Sequence, residues 1–184
     1  MNRNDHNPEM RDDVALEPCI GMLELGSVAR GVEVADAVLK EAAVELLFAT
    51  PVHPGKYVVL FTGAVADVRA SARRGVELAG SDLVDQLLIP NVNEQIVPML
   101  KRRGGRINGQ LDALGIVETA TVSAAIVAAD VALKTASVDL IDLRIANGLG
   151  GKSFFVLTGE VSDIRSAISA GAGNASAAGL LTRE

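Results

Sequence analysis

The chain has 184 residues, a net charge of −6 and a hydrophobic content of 49%, of which aromatic residues supply little. The acidic balance argues against a nucleic-acid partner, which would require a basic face. No apolar run is long enough to span a membrane, so we expect no membrane partner. Its single cysteine, Cys19, excludes an internal disulfide. The surplus of apolar residues therefore favours burial in protein–protein interfaces.

The first half of the chain predicts a strand-and-helix unit behind a polar N-terminal segment. Residues 1–18 carry mixed charge and two prolines, which predicts a flexible extension. Ser27 is a plausible helix N-cap, and Gly80 is a plausible helix stop. Apolar periodicity and turn residues predict alternating strands and helices. In order these are a strand at 19–25, a helix at 28–43, strands at 44–52 and 56–63, a helix at 66–80, a strand at 83–91 and a helix at 92–100.

A glycine-rich basic linker at 101–112 leads to a second unit that repeats the first. Residues 20–53 match 114–147 at ten of thirty-four positions, and 55–75 match 151–171 at eight of twenty-one. The second unit is predicted to contain strands at 113–119, 138–146 and 152–158, helices at 122–136 and 160–178, and the closing residues LLTRE.

The repeat predicts two tandem domains, 19–100 and 113–184, each with the order β-α-β-β-α-β. That order is typical of α+β ferredoxin-like units, with an antiparallel sheet and helices on one face. The other face of each sheet must then be covered or be tolerably polar. Because the copies differ in length only where His53–Gly55 aligns with Asn147–Gly151, this loop is the first place to look for specialised function.

The repeated motifs resemble the bacterial microcompartment shell domain. Its Gly-x-[Leu/Val]-Glu strand and Asp-x-x-x-Lys helix end occur at Gly21, Glu24, Asp36 and Lys40, and again at Gly115, Glu118, Asp130 and Lys134. A Gly-Lys pair before an apolar strand and a Thr-Gly-x-Val-x-Asp turn also appear twice. The resemblance covers residues 19–184, and it is greatest to the unpermuted tandem-domain shell proteins of the propanediol-utilisation type.

The resemblance implies a structural subunit, not an enzyme, in the shell of a microcompartment in the bacterial cytoplasm. Three chains would form a pseudo-hexameric disc that tiles with neighbouring hexameric and trimeric shell proteins. The loop between the second and third strands of each copy would line a central pore for small metabolites. Those loop residues are Val52, His53, Pro54 and Gly55 in the first copy, and Asn147, Gly148, Leu149, Gly150 and Gly151 in the second.

The resemblance also places Lys40 and Lys134 at the disc edge, in contact with neighbouring discs. Shell domains often carry a Pro-Arg-Pro-His motif after the fourth strand. The first copy departs from that pattern with Ile89-Pro90-Asn91-Val92, which makes Asn91 the candidate edge residue there.

His53 is the sharpest candidate for chemistry. Some tandem shell proteins place a cysteine in this loop and hold an iron–sulfur cluster, but Cys19 lies elsewhere, so a cysteine-ligated cluster is not supported. Three His53 imidazoles on a threefold axis could bind a divalent metal. They could instead form a pH-dependent gate, or simply line a solvated pore.

The sequence leaves alternatives to the function of a structural shell subunit. One alternative is a metal- or electron-handling pore protein that uses three His53 side chains. Another is a small-molecule-binding regulator with a ligand cleft between its two domains. An enzyme is least favoured, because the sequence suggests no nucleophile–base pair; Glu24 and Glu118 are predicted to have structural roles. Asp36 and Lys40, four residues apart, could form an ordinary helix-surface ion pair.

Overall fold

The computed structural model describes residues 18–102, 111–145 and 149–184. Residues 1–17, 103–110 and 146–148 lie outside it, so most of the predicted extension and linker, together with Asn147 and Gly148, are not described. The first unit contains β1 (Cys19–Leu25), α1 (Val28–Glu41), β2 (Val44–Val52), β3 (Lys56–Gly63), α2 (Val65–Ala79), β4 (Leu83–Ile89) and α3 (Ile96–Arg102). The second contains β5 (Ala113–Thr119), α4 (Val122–Thr135), β6 (Asp139–Ile145), β7 (Ser153–Gly159), α5 (Val161–Ala177) and β8 (Leu181–Arg183).

Capping residues set the helix ends much as the sequence predicts. The Ser27 hydroxyl accepts a hydrogen bond from the Arg30 backbone N–H, and Gly80 ends α2 with φ +54°. A single 3₁₀ turn follows at Gly80–Asp82. The helix predicted at 92–100 instead begins at Ile96, because the Asn93 side chain accepts from the Gln95 N–H and holds the preceding residues in a turn.

Each domain has one four-stranded antiparallel sheet, ordered β2-β3-β1-β4 in the first and β6-β7-β5-β8 in the second. The predicted α+β class is thereby observed in both copies. The two copies also share an irregularity in their edge strands. The register of β2 shifts between Leu46 and Phe48, and that of β6 shifts at the equivalent position, between Leu140 and Asp142. The fourth strands differ: β4 pairs along most of β1, whereas β8 pairs only with Glu118 and Thr119.

In each domain the two longer helices, α1 and α2 or α4 and α5, cover one face of the sheet, as the sequence predicts, whereas α3 packs on the other face of the first sheet. In the first domain α1 and α2 pack on buried residues of β1 and β3, with Gly75 at the crossing. A Cβ at Gly75 would lie 2.3 Å from Leu23 Cδ1 and 3.0 Å from Val38 Cγ2. Only glycine therefore allows this spacing without rearrangement. The core of this face comprises Leu23, Leu25, Val34, Val38, Val59, Phe61 and Val68.

The apolar side chains on the opposite, open face of the sheet are buried in the first domain and exposed in the second. In the first, Ile20, Met22, Val58 and Leu60 are buried in one apolar cluster together with residues of α3 and α4. The open face of the first sheet is therefore covered by α3 of the first domain together with α4 of the second. In the second sheet, the equivalent residues Leu114 and Ile116 are exposed large apolar side chains.

Within the described residues, no helix combines the length and apolar character that a membrane crossing requires.

Candidate functional site

Polar contacts fix the junction between the two domains. The Ser123 hydroxyl donates to Asp85 Oδ2 over 2.5 Å. The Gln95 side chain bridges to the second domain, donating to the Val138 carbonyl over 3.1 Å and accepting from the Leu140 N–H over 2.7 Å. These contacts satisfy backbone groups at the start of β6 and fix the orientation of α3 across the junction. Sequence reasoning missed all of them, because the partners lie about 40 residues apart in the chain.

Of the predicted disc-edge residues, Lys134 and Asn91 contact each other, whereas Lys40 lies apart from them. Lys134 Nζ donates to the Asn91 carbonyl and pairs with Asp130 Oδ2, each over 2.7 Å. Asn91 has φ +54°, a conformation that asparagine tolerates better than most residues. The other oxygen of Asp130 accepts from the Asn93 N–H over 2.7 Å. Lys134 therefore organises the turn that follows β4.

Lys40, the counterpart of Lys134, makes no such contact between domains with any residue that the structure describes. Its ammonium pairs with Asp36 Oδ2 over 2.7 Å, and both side chains are well exposed. The helix-surface pair suggested by the spacing is therefore present. The position of Lys40 leaves it accessible to a neighbouring molecule.

The two loops predicted to line the pore approach each other. His53, Pro54 and Gly55 are exposed in the first loop, and Gly55 has φ +72°. In the second loop, Gly151 has φ +91°, and a Cβ there would lie 3.0 Å from the His53 carbonyl oxygen. Backbone therefore crowds against backbone at Gly151, whereas Gly55 is favoured by its positive φ alone.

Of the other residues predicted to line the pore, one is buried, two are exposed and two are not described. Val52 is buried in the apolar cluster at the domain junction, so its side chain faces the core rather than an opening. Leu149 and Gly150 are exposed beside Gly151. The second-loop residues Asn147 and Gly148 lie outside the described residues.

His53 does not belong to a three-ligand metal cluster within the described residues of one chain. The described residues contain no group of three or more histidine, cysteine, aspartate or glutamate side chains able to hold a metal ion. Cys19 is fully buried, and burial raises the pKa of its thiol, although the charge of Arg69 partly opposes that rise. A metal at His53 would therefore have to draw ligands from several protomers.

The repeated glutamates form ion pairs with the repeated lysines. Glu24 Oε1 lies 3.0 Å from Lys56 Nζ, and Glu118 Oε1 lies 2.9 Å from Lys152 Nζ. The predicted structural role of both glutamates thus has a physical basis. The Gly-Lys motif could have suggested the partners, since it recurs in both copies, 32 residues after the glutamate in the first and 34 in the second.

The chain is a member of a known class of proteins. A model of the BMC domain family matches residues 19–92 and again residues 113–184. These matches cover most of the chain, which therefore belongs to the bacterial microcompartment shell-protein family. Such proteins are structural and lie in the shell of a compartment of the bacterial cytoplasm. The resemblance seen in the sequence is confirmed.

Individual relatives agree with this assignment. The bacterial microcompartment shell protein PduT of Citrobacter freundii is 40% identical over 166 residues, covering 90% of this chain and 89% of PduT. The carboxysome assembly protein CcmO of Synechocystis sp. is 26% identical, over 91% of this chain and 58% of its own length.

Solved structures share the two-domain architecture. The crystal structure of a microcompartment protein from Desulfitobacterium hafniense DCB is 44% identical, with a TM-score of 0.85 over 90% of this chain and 91% of that one. A fused permuted hexameric shell protein from the RMM microcompartment is 21% identical, with a TM-score of 0.65 over 87% of this chain and 84% of that one. At that identity the second likeness concerns the fold alone.

Proposed function

We propose that three copies of this chain form a closed, pseudo-hexameric tile of the microcompartment shell, with a central pore for small metabolites. The observation that carries the proposal is a pair of unpartnered apolar faces. One is the outer face of α1, comprising Val28, Val32 and Leu39, and the other is the open face of the second sheet, comprising Leu114 and Ile116.

Each of these faces has a counterpart that is buried inside the chain. Ile126 of α4 is 0% exposed, whereas its α1 equivalent Val32 is 55% exposed. Met22 of the first sheet is 0% exposed, whereas its equivalent Ile116 is 50% exposed. The junction within the chain, where α3 and α4 together cover the first sheet, therefore supplies a partial template for a junction between chains, in which α1 of one protomer packs against the second sheet of the next.

Such an interface is heterologous, since the two faces are different surfaces of the same molecule. Heterologous contacts produce either closed rings or open fibres. Repeating the relation between the two domains at every junction would arrange them around one axis, and the family resemblance sets the number of chains at three. The loops carrying His53 and Leu149–Gly151, which already meet inside one chain, would then surround that axis.

The test is the oligomeric state of the purified protein. Wild type should elute as a trimer in size-exclusion chromatography with light scattering. Val32→Glu should elute as a monomer, because a carboxylate would be buried in the new junction. Val161→Glu is the matched control, because Val161 is exposed on α5, outside both faces. A monomeric wild type, or a trimeric Val32→Glu variant, would contradict the proposal.

A second candidate function is metal binding by three His53 side chains at the pore. It is supported by the exposure of His53 in a loop held at the domain junction. Neutral imidazoles suit zinc and similar divalent ions and would leave open coordination positions. A metal-to-trimer ratio near one that disappears in His53→Ala would support the site. Equal metal content in both proteins would leave a plain pore.

A further inference from the structure

The two sheets differ in how completely the fourth strand covers the edge of the first. In the first domain β4 pairs with β1 from Ile20 to Leu25, whereas in the second β8 pairs only with Glu118 and Thr119. On that side, residues 113–117 of β5 have no partner strand among the residues that the structure describes. An open edge of this kind presents backbone N–H and C=O groups that a further strand can pair with.

An open cleft of about 510 Å³ lies beside this edge. Leu114 and Ile116 of β5 line it on one side, and Ile168 and Ala172 of α5 line it on the other. In strand addition, main-chain hydrogen bonds hold the backbone of the added segment, and clefts beside the edge hold its alternate side chains. The edge of β5 offers both features in one place.

A different cavity, of about 440 Å³, lies at the junction of the two domains. Phe48 and Leu100 line it from the first domain, and Asp142 and Leu149 line it from the second. Leu149 belongs to the loop predicted to line the pore, so this cavity adjoins the predicted pore. The cleft beside β5 shares no lining residue with it.

The first domain shows which kind of segment fits the equivalent edge. There Leu88 of β4 lies opposite Gly21, the counterpart of Gly115, and it packs toward the helices that cover the sheet. Its neighbours Leu87 and Ile89 pack in the cluster that covers the open face. A strand added to β5 would meet the same two surfaces, so three consecutive apolar residues suit it.

Charges at the two ends of the cleft favour one direction for the added strand. Arg165 lies toward the start of β5, because α5 follows the strand end that pairs there. Glu184 lies toward the other end, immediately after the residue that pairs with Glu118. Both side chains line the cleft. An antiparallel strand would begin near Glu184 and end near Arg165, so a cation before the apolar run and a carboxylate after it are complementary.

We propose that the edge of β5 binds an extended segment of a partner protein as an added antiparallel strand. The segment carries three consecutive apolar residues between a basic and an acidic residue. Its backbone pairs with residues 113–117, and its middle apolar side chain packs against α5. The outer two apolar side chains join Leu114 and Ile116 on the open face.

An added strand and a closed trimer are compatible, and neither requires the other. In the first domain α4 lies beside β4, where the Ser123 hydroxyl donates to Asp85. In the proposed trimer, α1 of the next protomer would lie beside the added strand in the same way. Binding is therefore measured in wild type and in Val32→Glu, while elution volume reports separately on the trimer. Loss of binding in both proteins would contradict the added strand alone.

The test is fluorescence anisotropy of the full chain with a labelled peptide, Lys-Gln-Leu-Leu-Ile-Glu, whose apolar run is that of β4. This peptide should bind. Lysine in place of its middle apolar residue should weaken binding about tenfold, because an ammonium group would enter the apolar cleft. Exchanging the terminal lysine and glutamate should weaken it about threefold, as two exposed ion pairs imply. No binding, as expected if another part of the chain already pairs with β5, would overturn the proposal.

Backbone methylation distinguishes strand pairing from adsorption to an apolar surface. Only every second residue of the added strand directs its N–H toward β5. N-methylation of one alternate set of peptide residues should therefore abolish binding, whereas methylation of the other set should leave it unchanged. Equal effects of the two sets would refute strand addition.

Two variants of α5 locate the interaction. Ser169 and Ser166 are both exposed, but only Ser169 lines the cleft. Ser169→Trp should fill the cleft and weaken binding about tenfold, whereas Ser166→Trp is the matched control and should leave it unchanged. Bound peptide should also slow amide hydrogen exchange in residues 113–117. Equal affinities of the two variants, or no added protection of that strand, would exclude this edge as the binding site.

Discussion

At the residue scale, the two copies of the glutamate–lysine pair show how burial changes the role of one motif. Glu24 has a side chain only 7% exposed, and Lys56 satisfies its charge. Glu118 makes the same contact with Lys152, but its side chain is about one-third exposed. Removing one charge from a buried pair leaves the other uncompensated, whereas an exposed pair contributes little.

We therefore predict that Glu24→Gln lowers the free energy of unfolding by about 1–3 kcal/mol, and that Glu118→Gln lowers it by less than about 1 kcal/mol. Denaturant unfolding of both variants at one protein concentration measures the difference. Equal losses would show that burial does not distinguish the two pairs.

A second residue-scale prediction concerns Cys19. Its thiol is buried, and its pKa is raised above the ordinary value of 9.0. Iodoacetamide reacts with the thiolate, so native protein at pH 8 should be labelled far more slowly than protein unfolded in guanidinium. The folded state holds this proton more tightly than the unfolded state does. The associated stability is therefore fully present below pH 9.0 and declines as the pH rises through the folded pKa.

Because Cys19 is the only cysteine, all labelling reports on this one site. Mass spectrometry of the alkylated protein over time gives both rates. A native rate equal to the unfolded rate would contradict the burial of Cys19.

At the residue scale, the sequence identified members of the candidate site only where they lie in a motif of neighbouring residues. The sequence pointed to His53, Gly151 and Lys134 through the repeat and its length difference. It could not identify Asp142 as a cavity residue, because its neighbours Phe48 and Leu100 come from the other domain. It also assigned Val52 to the pore, although strand pairing and the domain junction bury that side chain.

At the element scale, the strands and most helices begin and end within a few residues of their predicted limits. Alternation, proline and glycine are local signals, and here tertiary packing did not override them. The start of α3 is the clearest exception. Its first turn is delayed by the Asn93 side chain, which caps a turn in which Ile96 N–H also bonds to the Asn93 carbonyl.

Two glycines of α5 differ in the space around them, so alanine substitutions at the two positions should have opposite effects on stability. A Cβ at Gly171 would lie 2.8 Å from the Ala128 carbonyl oxygen of α4, whereas a Cβ at Gly173 would meet nothing within 4 Å. We predict that Gly171→Ala destabilises the protein by about 1–3 kcal/mol through overpacking. Gly173→Ala should stabilise it by about 0.5–1 kcal/mol through helix propensity.

Thermal unfolding of the two alanine variants beside wild type provides the measurement. Each variant serves as the control for the other, since both change the same helix in the same way. A stabilised Gly171→Ala variant would mean that α4 and α5 are not held at the observed distance.

At the scale of the whole molecule, the open faces of the two sheets differ in how far their apolar side chains are exposed. One face is covered within the chain, and the other leaves Leu114 and Ile116 exposed at the same positions. Exposed apolar patches of this kind usually mark an interaction surface. The α1 face that would cover them lies on the other domain, so one protomer offers both halves of the proposed junction.

This arrangement predicts a specific result when two damaged protomers are mixed. Val32→Glu removes the α1 face and Ile116→Glu removes the sheet face, so each variant alone should be a monomer. In an equimolar mixture, the intact sheet face of one should bind the intact α1 face of the other. The remaining faces are both damaged, so growth should stop at a heterodimer.

Light scattering and native mass spectrometry of the mixture measure this outcome. Val161→Glu on its own, which keeps both faces and should remain a trimer, is the control for the effect of an added surface charge. A mixture that stays monomeric would exclude a heterologous junction between these faces.

The sequence by itself determined the duplicated α+β architecture, the order of its elements and the family, because repeats, periodicity and capping are encoded in neighbouring residues. Only the tertiary structure decided which open sheet face is covered, where Lys134 meets Asn91, and that Phe48 and Asp142 share one cavity. These features depend on how two nearly equivalent domains pack against each other. That packing follows from contacts between residues far apart in the chain, which no local pattern records.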